Sequence, residues 1–86
     1  MVVVHIPMQW RKEIGVERLE VAGATLRQVI AALDACSPGI ADRIMAEGRL
    51  RPELAISING AIAERGLVEP VPEGAELYLI PAIGGG

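Results

Sequence analysis

One segment of the sequence has the complete pattern of an amphipathic helix, and strand-like segments flank it on both sides. Thr25 is suited to cap a helix N-terminus, and Gln28, three residues later, completes a capping box. Ser37-Pro38-Gly39 ends the pattern, because the residue before proline disfavours helical geometry. Apolar residues recur between these limits at the i, i+3, i+4 and i+7 spacing of one helix face: Leu26, Val29, Ile30 and Leu33. We therefore predict one main helix whose apolar stripe packs on a sheet.

Two strand segments precede this helix. Val2 to Met8 is apolar and β-branched, as in a buried strand, and Pro7 marks its end. In Val16 to Val21, charged residues broadly separate the apolar ones, which is typical of a half-exposed strand. The polar segment Gln9 to Gly15 joins them and indicates a loop. The sequence therefore predicts an N-terminal β-hairpin.

A second hairpin is predicted after the helix. Ile40 to Ala46 favours a shorter helix, and Gly48 to Pro52 indicates a connecting loop. Leu54 to Ile58 resumes a strand pattern and runs into Asn59-Gly60, two residues that tolerate the positive φ angles of a type I′ turn. Ala61 to Ala63 then begins a short returning strand.

The last strand completes the fold prediction. Glu64 to Gly74 is rich in glycine and proline and indicates a loop, whereas Ala75 to Ile80 is a strand whose pairing Pro81 ends. The order is strand, strand, helix, strand, strand, strand, and the last strand is free to lie beside the first. This order predicts an α+β fold of the β-grasp, ubiquitin-like type, with about four to five strands in a mixed sheet packed on one main helix.

The chain divides into one domain and a tail. Residues 1–81 form the predicted β-grasp domain, and residues 82–86, which end in Gly84-Gly85-Gly86, form a flexible tail too short and glycine-rich to fold by itself. A frayed terminus or an expression remnant is the structural alternative for this tail.

Composition excludes several function classes. Apolar residues make up 51% of the chain and charged residues 22%, which favours a globular domain over disorder. Trp10 and Tyr78 are the only aromatic residues and the net charge is −3, so we expect no nucleic-acid partner. No apolar run approaches the roughly 20 residues of a membrane span, and no signal peptide is evident, so we expect no membrane partner and a cytoplasmic location.

The sequence offers few residues that could form a catalytic or metal site in the domain, and these residues lack the partners that such a site needs. Cys36 is the only cysteine, so no internal disulfide can form and no metal site is expected; we interpret it as a small buried side chain. His5 is the only histidine and is interpreted as structural, since no partner stands at metal-ligand spacing. No Ser/His/Asp set or paired carboxylates can be assembled, and we expect no independent enzymatic activity.

The fold order and the glycine tail together resemble the ThiS and MoaD family of ubiquitin-like sulfur carrier proteins, which includes the molybdopterin, cysteine-biosynthesis and thiamin carriers. The resemblance covers nearly the whole chain. The segments that carry it are Met1 to Val4, Trp10 to Gly15, Ala24 to Val29, Ile56 to Gly60, and Glu73 to Pro81 leading into the tail.

The resemblance implies a carrier that is a substrate and not a catalyst. An activating enzyme similar to the ubiquitin E1 enzymes would adenylate the Gly86 carboxylate with ATP, and a sulfur donor would convert it to a thiocarboxylate for a sulfur-accepting synthase. The carrier itself would bind no cofactor. Gly85 would enter the partner's active site together with Gly86, and Gly84, Pro81, Ile80 and Arg11 match partner-binding positions of the family.

Alternatives remain open at this stage. Ile80 is interpreted either as part of a docking surface or as a core residue, and Arg11 either as a docking residue or as a solvated loop charge. The chain as a whole is also compatible with a ubiquitin-like protein modifier, for which Lys12 is the only lysine available to self-conjugation besides the N-terminus, or with a plain β-grasp binding module. Two departures from the family pattern, Gly84 in place of a small non-glycine residue and Glu73-Gly74-Ala75 in place of an Asp-Gly-Asp pattern, leave the receiving pathway open.

Overall fold

The structure is a computed structural model that describes residues 1–81, so the predicted tail, 82–86, lies outside the described residues. A short 3-10 helix, Gly66–Val68, interrupts the loop before the last strand. The other elements, in chain order, are β1 (Val2–His5), α1 (Met8–Ile14), β2 (Arg18–Val21), α2 (Leu26–Cys36), α3 (Ile40–Ile44), β3 (Met45–Ala46), β4 (Arg49–Leu50), β5 (Leu54–Ile58), β6 (Ala61–Ile62) and β7 (Glu76–Pro81).

Five strands form one mixed sheet in the order β2-β1-β7-β5-β6. The last strand, β7, lies beside the first, β1, and pairs with it in parallel, while the other neighbours pair antiparallel. The two remaining strands, β3 and β4, form a separate small hairpin. This arrangement confirms the predicted β-grasp fold, with a five-stranded sheet.

The main helix begins and packs as its sequence predicts. The Gln28 backbone N–H donates to Thr25 Oγ1 at 3.4 Å, and the Ala24 N–H donates to Gln28 Oε1 at 2.7 Å, so both side chains satisfy free N–H groups at the helix start. The four residues of the predicted stripe are all buried. They form one core with alternate residues of the sheet, with Ile6 after β1, with the two buried residues of α3 and with three residues that precede β7: Val2, Val4, Ile6, Val21, Ile40, Ile44, Leu54, Ile56, Leu67, Val71, Ala75, Leu77 and Leu79.

The segment predicted as a hairpin loop is helical, and the loop prediction was wrong. Pro7 precedes α1 with φ −58°, and Gly15 ends it in the left-handed region, where its N–H donates to the Arg11 carbonyl. Only Trp10 and Ile14 of this helix pack against the core. A helix with one pair of core contacts at i and i+4, and without a capping Ser, Thr or Asp, has too weak a pattern to be distinguished from a polar loop.

Two turns use successive residues with positive φ. Asn59 and Gly60 have φ of 51° and 89°, which confirms the predicted hairpin turn. Glu47 and Gly48 have φ of 55° and 76° and join β3 to β4 in a hairpin that the sequence did not predict. The second predicted helix therefore ends earlier than expected, because Met45 adopts an extended conformation and starts β3.

Candidate functional site

The tail continues from a strand inside the sheet. β7 has a paired strand on each side. Its Leu77 lies opposite Val4 of β1, and its Leu79 lies opposite Ile56 of β5. Pro81 is the last residue of β7 and lies opposite Leu54, so the strand extends one residue beyond the predicted end at Ile80. Proline is tolerated there because the Leu54 N–H donates to the Arg51 carbonyl and not across the ladder, and the pairs with β1 have already ended, so no partner requires an N–H from Pro81. The pairs with β1 end at Tyr78 and those with β5 continue to Pro81, so the sheet holds the point from which residues 82–86 depart on the β5 side.

An apolar surface lies on the sheet face opposite α2, beside this point. Leu77 and Leu79 point into the core, so Tyr78 and Ile80 point outward, and their exposed fractions are 47% and 45%. Ile62 of β6 is 54% exposed and is aligned with Tyr78 through Ser57, since Ser57 pairs with both. We call Tyr78, Ile80 and Ile62, with the short side chains of Ala55 and Ser57 between them, the outer-face patch.

Ile80 belongs to this patch and not to the core. The structure therefore excludes the interpretation of Ile80 as a core residue, and it leaves open its predicted role in partner binding. Sequence reasoning did not select Tyr78 or Ile62. The period-2 alternation of β7 was the available signal for Tyr78, because it places residues 78 and 80 on the same face.

Arg11 lies at the end of the sheet from which the tail departs. β1 and β7 run parallel with His5 opposite Tyr78, so the chain leaves β1 and enters α1 near the level at which β7 reaches Pro81. The Arg11 Nε–H donates to the Ile6 carbonyl at 2.9 Å, and a second guanidinium nitrogen lies 3.7 Å from Glu17 Oε1. Arg11 is thus a helix residue that ties α1 to the segment between β1 and α1, and not a solvated charge in a loop.

The outer face also carries a polar cluster next to the patch. The rings of His5 and Tyr78 are stacked, with their centroids 4.2 Å apart and an angle of 6° between their planes. His5 Nε2 lies 2.9 Å from Glu76 Oε1. His5 therefore makes structural contacts, as its sequence context predicts, and it makes them on the outer face of the sheet.

Other predictions from the sequence have mixed outcomes. Cys36 is exposed, so its interpretation as a buried side chain was wrong; it is the last residue of α2 and lies beyond the buried stripe. Gly84, Gly85 and Gly86 lie outside the described residues, and their roles stay predictions. Within residues 1–81, no group of three or more His, Cys, Asp or Glu side chains is placed to hold a metal ion. No helix in that range is both long and apolar enough to span a membrane.

The sheet order, the packed helix and the outer-face patch define a ubiquitin-like β-grasp protein. The sequence matches the model of the ThiS family over residues 4–86, and the chain belongs to the ThiS family. A comparison with curated proteins gave no significant match.

Solved structures with the same fold include two CysO proteins. A chain in the crystal structure of the Amycolatopsis orientalis BexX/CysO complex is 29% identical, with 100% of both chains covered and a TM-score of 0.93. Mycobacterium tuberculosis CysO is 29% identical, with 96% of this chain and 100% of that chain covered and a TM-score of 0.87. SAMP1 from Haloferax volcanii is 27% identical, with 99% and 98% covered and a TM-score of 0.79.

Proposed function

We propose that this protein is a sulfur carrier whose Gly86 carboxylate is adenylated by a partner activating enzyme and then converted to a thiocarboxylate. Membership of the ThiS family, with a match that extends through Gly86, is the observation that carries the proposal. The similarity to CysO over the whole chain supports it. The carrier is the substrate of the activating enzyme and supplies no catalytic group of its own.

The proposed chemistry needs activation because a free carboxylate is a poor electrophile. The Gly86 carboxylate attacks ATP and releases pyrophosphate, which leaves a mixed anhydride with AMP. Hydrosulfide from the sulfur donor then forms a carbon–sulfur bond while the bond to AMP breaks, and AMP and a proton depart. The resulting thiocarboxylate delivers its sulfur to an acceptor synthase. ATP, bound by the partner enzyme, supplies the driving force.

In this proposal the tail carries the reacting carboxylate, and the folded sheet provides the surface that binds the partner enzyme. Five residues follow Pro81 and span at most about 17 Å when extended, enough to enter a partner's active site. Glycines suit such entry because they lack a Cβ, but ordering three of them costs on the order of 3 to 6 kcal/mol. The folded domain must therefore contribute most of the docking affinity.

We further propose that the outer-face patch is the surface that docks on the activating enzyme. An enzyme that receives Gly86 must cover the end of β7, and Ile80 and Pro81 lie directly before the tail. Ile80 and Tyr78 expose nearly half of their surface, so burial against a partner would be favourable. Arg11 lies at the same end of the sheet, where its exposed fraction can contact the rim of that interface.

Intact-mass spectrometry tests the proposed function. Incubation with a cognate activating enzyme, ATP and a sulfide source is expected to raise the mass of the chain by the difference between sulfur and oxygen. Omission of ATP is the matched control and is expected to leave the mass unchanged. An unchanged mass in the complete reaction, with an activating enzyme shown to be active on another carrier, would contradict the proposal.

A ubiquitin-like protein modifier is the second candidate, and the similarity to SAMP1, a small archaeal modifier protein, favours it. The two candidates share the adenylated intermediate and differ in the nucleophile that displaces AMP. Isopeptide bonds between Gly86 and lysines of other proteins, detected in cells that express a tagged chain, would support the modifier. Their absence, together with a thiocarboxylate on the same chain, would support the carrier alone.

A further inference from the structure

The His5 and Tyr78 rings must stand upright on the sheet. The two residues are direct neighbours on parallel strands β1 and β7, which are about 4.8 Å apart in a sheet. Rings that face each other in nearly parallel planes at 4.2 Å fit this spacing only if both planes rise away from the sheet. One face of the Tyr78 ring is therefore covered by His5, while the other is turned across Ser57 toward Ile62.

Hydrogen bonds fix the histidine in turn. A carboxylate can only accept, so the 2.9 Å contact with Glu76 Oε1 requires that His5 Nε2 carries the proton. Glu76 is itself anchored, because its N–H donates to Asn59 Oδ1 and its carbonyl accepts from the Asn59 N–H, both at 2.9 Å. Arg18 occupies the register position opposite His5 on β2. The chain of contacts thus runs from the Asn59-Gly60 turn through Glu76 and His5 to Tyr78.

We propose that His5 is a positioning residue that holds Tyr78 upright as the aromatic anchor of the docking surface; the docking part rests on the proposed function. Ile62 lies two strand spacings from Tyr78, about 9.6 Å across the sheet. The upright ring and Ile62 flank Ser57, which is only 7% exposed, and together they present an apolar surface to an apolar side chain of the activating enzyme. Rigid aromatic side chains of this kind are frequent anchors of protein interfaces.

Removing the imidazole ring would empty the space above β1 beside Tyr78. The phenol ring could then turn toward β1 and cover the apolar surface left there, which would take the ring away from Ser57 and Ile62. Phenylalanine at position 5 keeps a ring that can stack but has no N–H for Glu76. The pair His5→Ala and His5→Phe therefore separates the stacking from the hydrogen bond.

Proton NMR tests the positioning directly, because His5 and Tyr78 are the only residues of their kinds and their ring signals need no further assignment. The Hα–Hβ coupling constants of Tyr78 report its χ1 rotamer, and we expect them to be equal in the wild type and in His5→Phe and to change in His5→Ala. Arg18→Ala, on the other side of His5, is the matched control and is expected to leave the Tyr78 signals in place. Unchanged Hα–Hβ coupling constants of Tyr78 in His5→Ala would overturn the inference.

Affinity for the activating enzyme tests the docking role. His5→Ala is expected to weaken binding by about 3- to 10-fold, the range that corresponds to one aromatic pair, and His5→Phe to restore it to within about twofold. Equal affinity of His5→Ala and the wild type would overturn the docking role. A wild-type chain that does not bind would contradict the proposed function and the docking role together, while the NMR result would still decide whether His5 positions Tyr78.

Discussion

Replacing Ile80 with alanine tests whether the outer-face patch is the docking surface. Full burial of an isoleucine side chain contributes about 1.5 to 3 kcal/mol. Ile80 retains 45% of its exposure in the free chain, so an interface that covers it could gain about 0.7 to 1.4 kcal/mol. Its loss corresponds to an affinity for the activating enzyme that is about 3- to 10-fold weaker. Because Ile80 lies outside the core, the fold should be unaffected.

Isothermal titration of the activating enzyme with the wild type and with Ile80→Ala measures this difference. Val68→Ala is the matched control, because Val68 is 66% exposed and belongs to the 3-10 helix that contacts α2, on the other side of the sheet. We expect the control to bind as the wild type does. Equal affinities for Ile80→Ala and the wild type, or an equal loss in both variants, would refute the assignment of the docking surface.

Three further predictions concern the tail, the packing and the lysine. Deleting Gly85-Gly86 is expected to abolish sulfur loading while the thermal midpoint stays at the wild-type value; loading of the truncated chain would contradict the role of the tail. Gly23→Ala places a Cβ 2.8 Å from Val29 atoms and is expected to lower the free energy of unfolding by about 1 to 3 kcal/mol in urea denaturation; equal stability would contradict this close packing. If the chain acts as a modifier, Lys12→Arg is expected to remove isopeptide-linked self-conjugates from immunoblots; their persistence would place the linkage elsewhere.

The Gly23→Ala and Lys12→Arg experiments each have a control variant. Ala22→Ser changes an exposed neighbour of Gly23 and is expected to leave the free energy of unfolding unchanged. Replacing Gln9 with lysine adds a second exposed lysine to α1, and this variant shows whether any exposed amine of that helix accepts the chain or only Lys12. Self-conjugates on both residues would indicate non-selective acylation.

The parts of the fold that are specified by a few neighbouring residues, such as helix caps and turns, could be predicted from the sequence. The capping pair Thr25 and Gln28 fixed the start of α2, and Asn59-Gly60 marked a turn that requires positive φ. Strand β5 has the predicted bounds because its apolar run is limited by turn residues on both sides. Each of these signals acts over a few residues, so none required knowledge of the tertiary structure.

The remaining parts depend on contacts between distant residues. Helix α1 has only Trp10 and Ile14 against the core, and this support becomes evident only when the sheet is in place. Glu47 adopts a positive φ that glutamate does not favour, so the turn between β3 and β4 could not be predicted from the residues of the turn itself. The outer-face role of Tyr78 needed the register of β7 between β1 and β5, which sets its neighbours.

Tandem mass spectrometry of the loaded chain tests the central claim most directly. After reaction with the activating enzyme, ATP and sulfide, the account predicts that the sulfur-for-oxygen mass difference lies only on the C-terminal fragment that contains Gly86. Sulfur on Cys36 alone, with an unmodified Gly86 fragment, would contradict it.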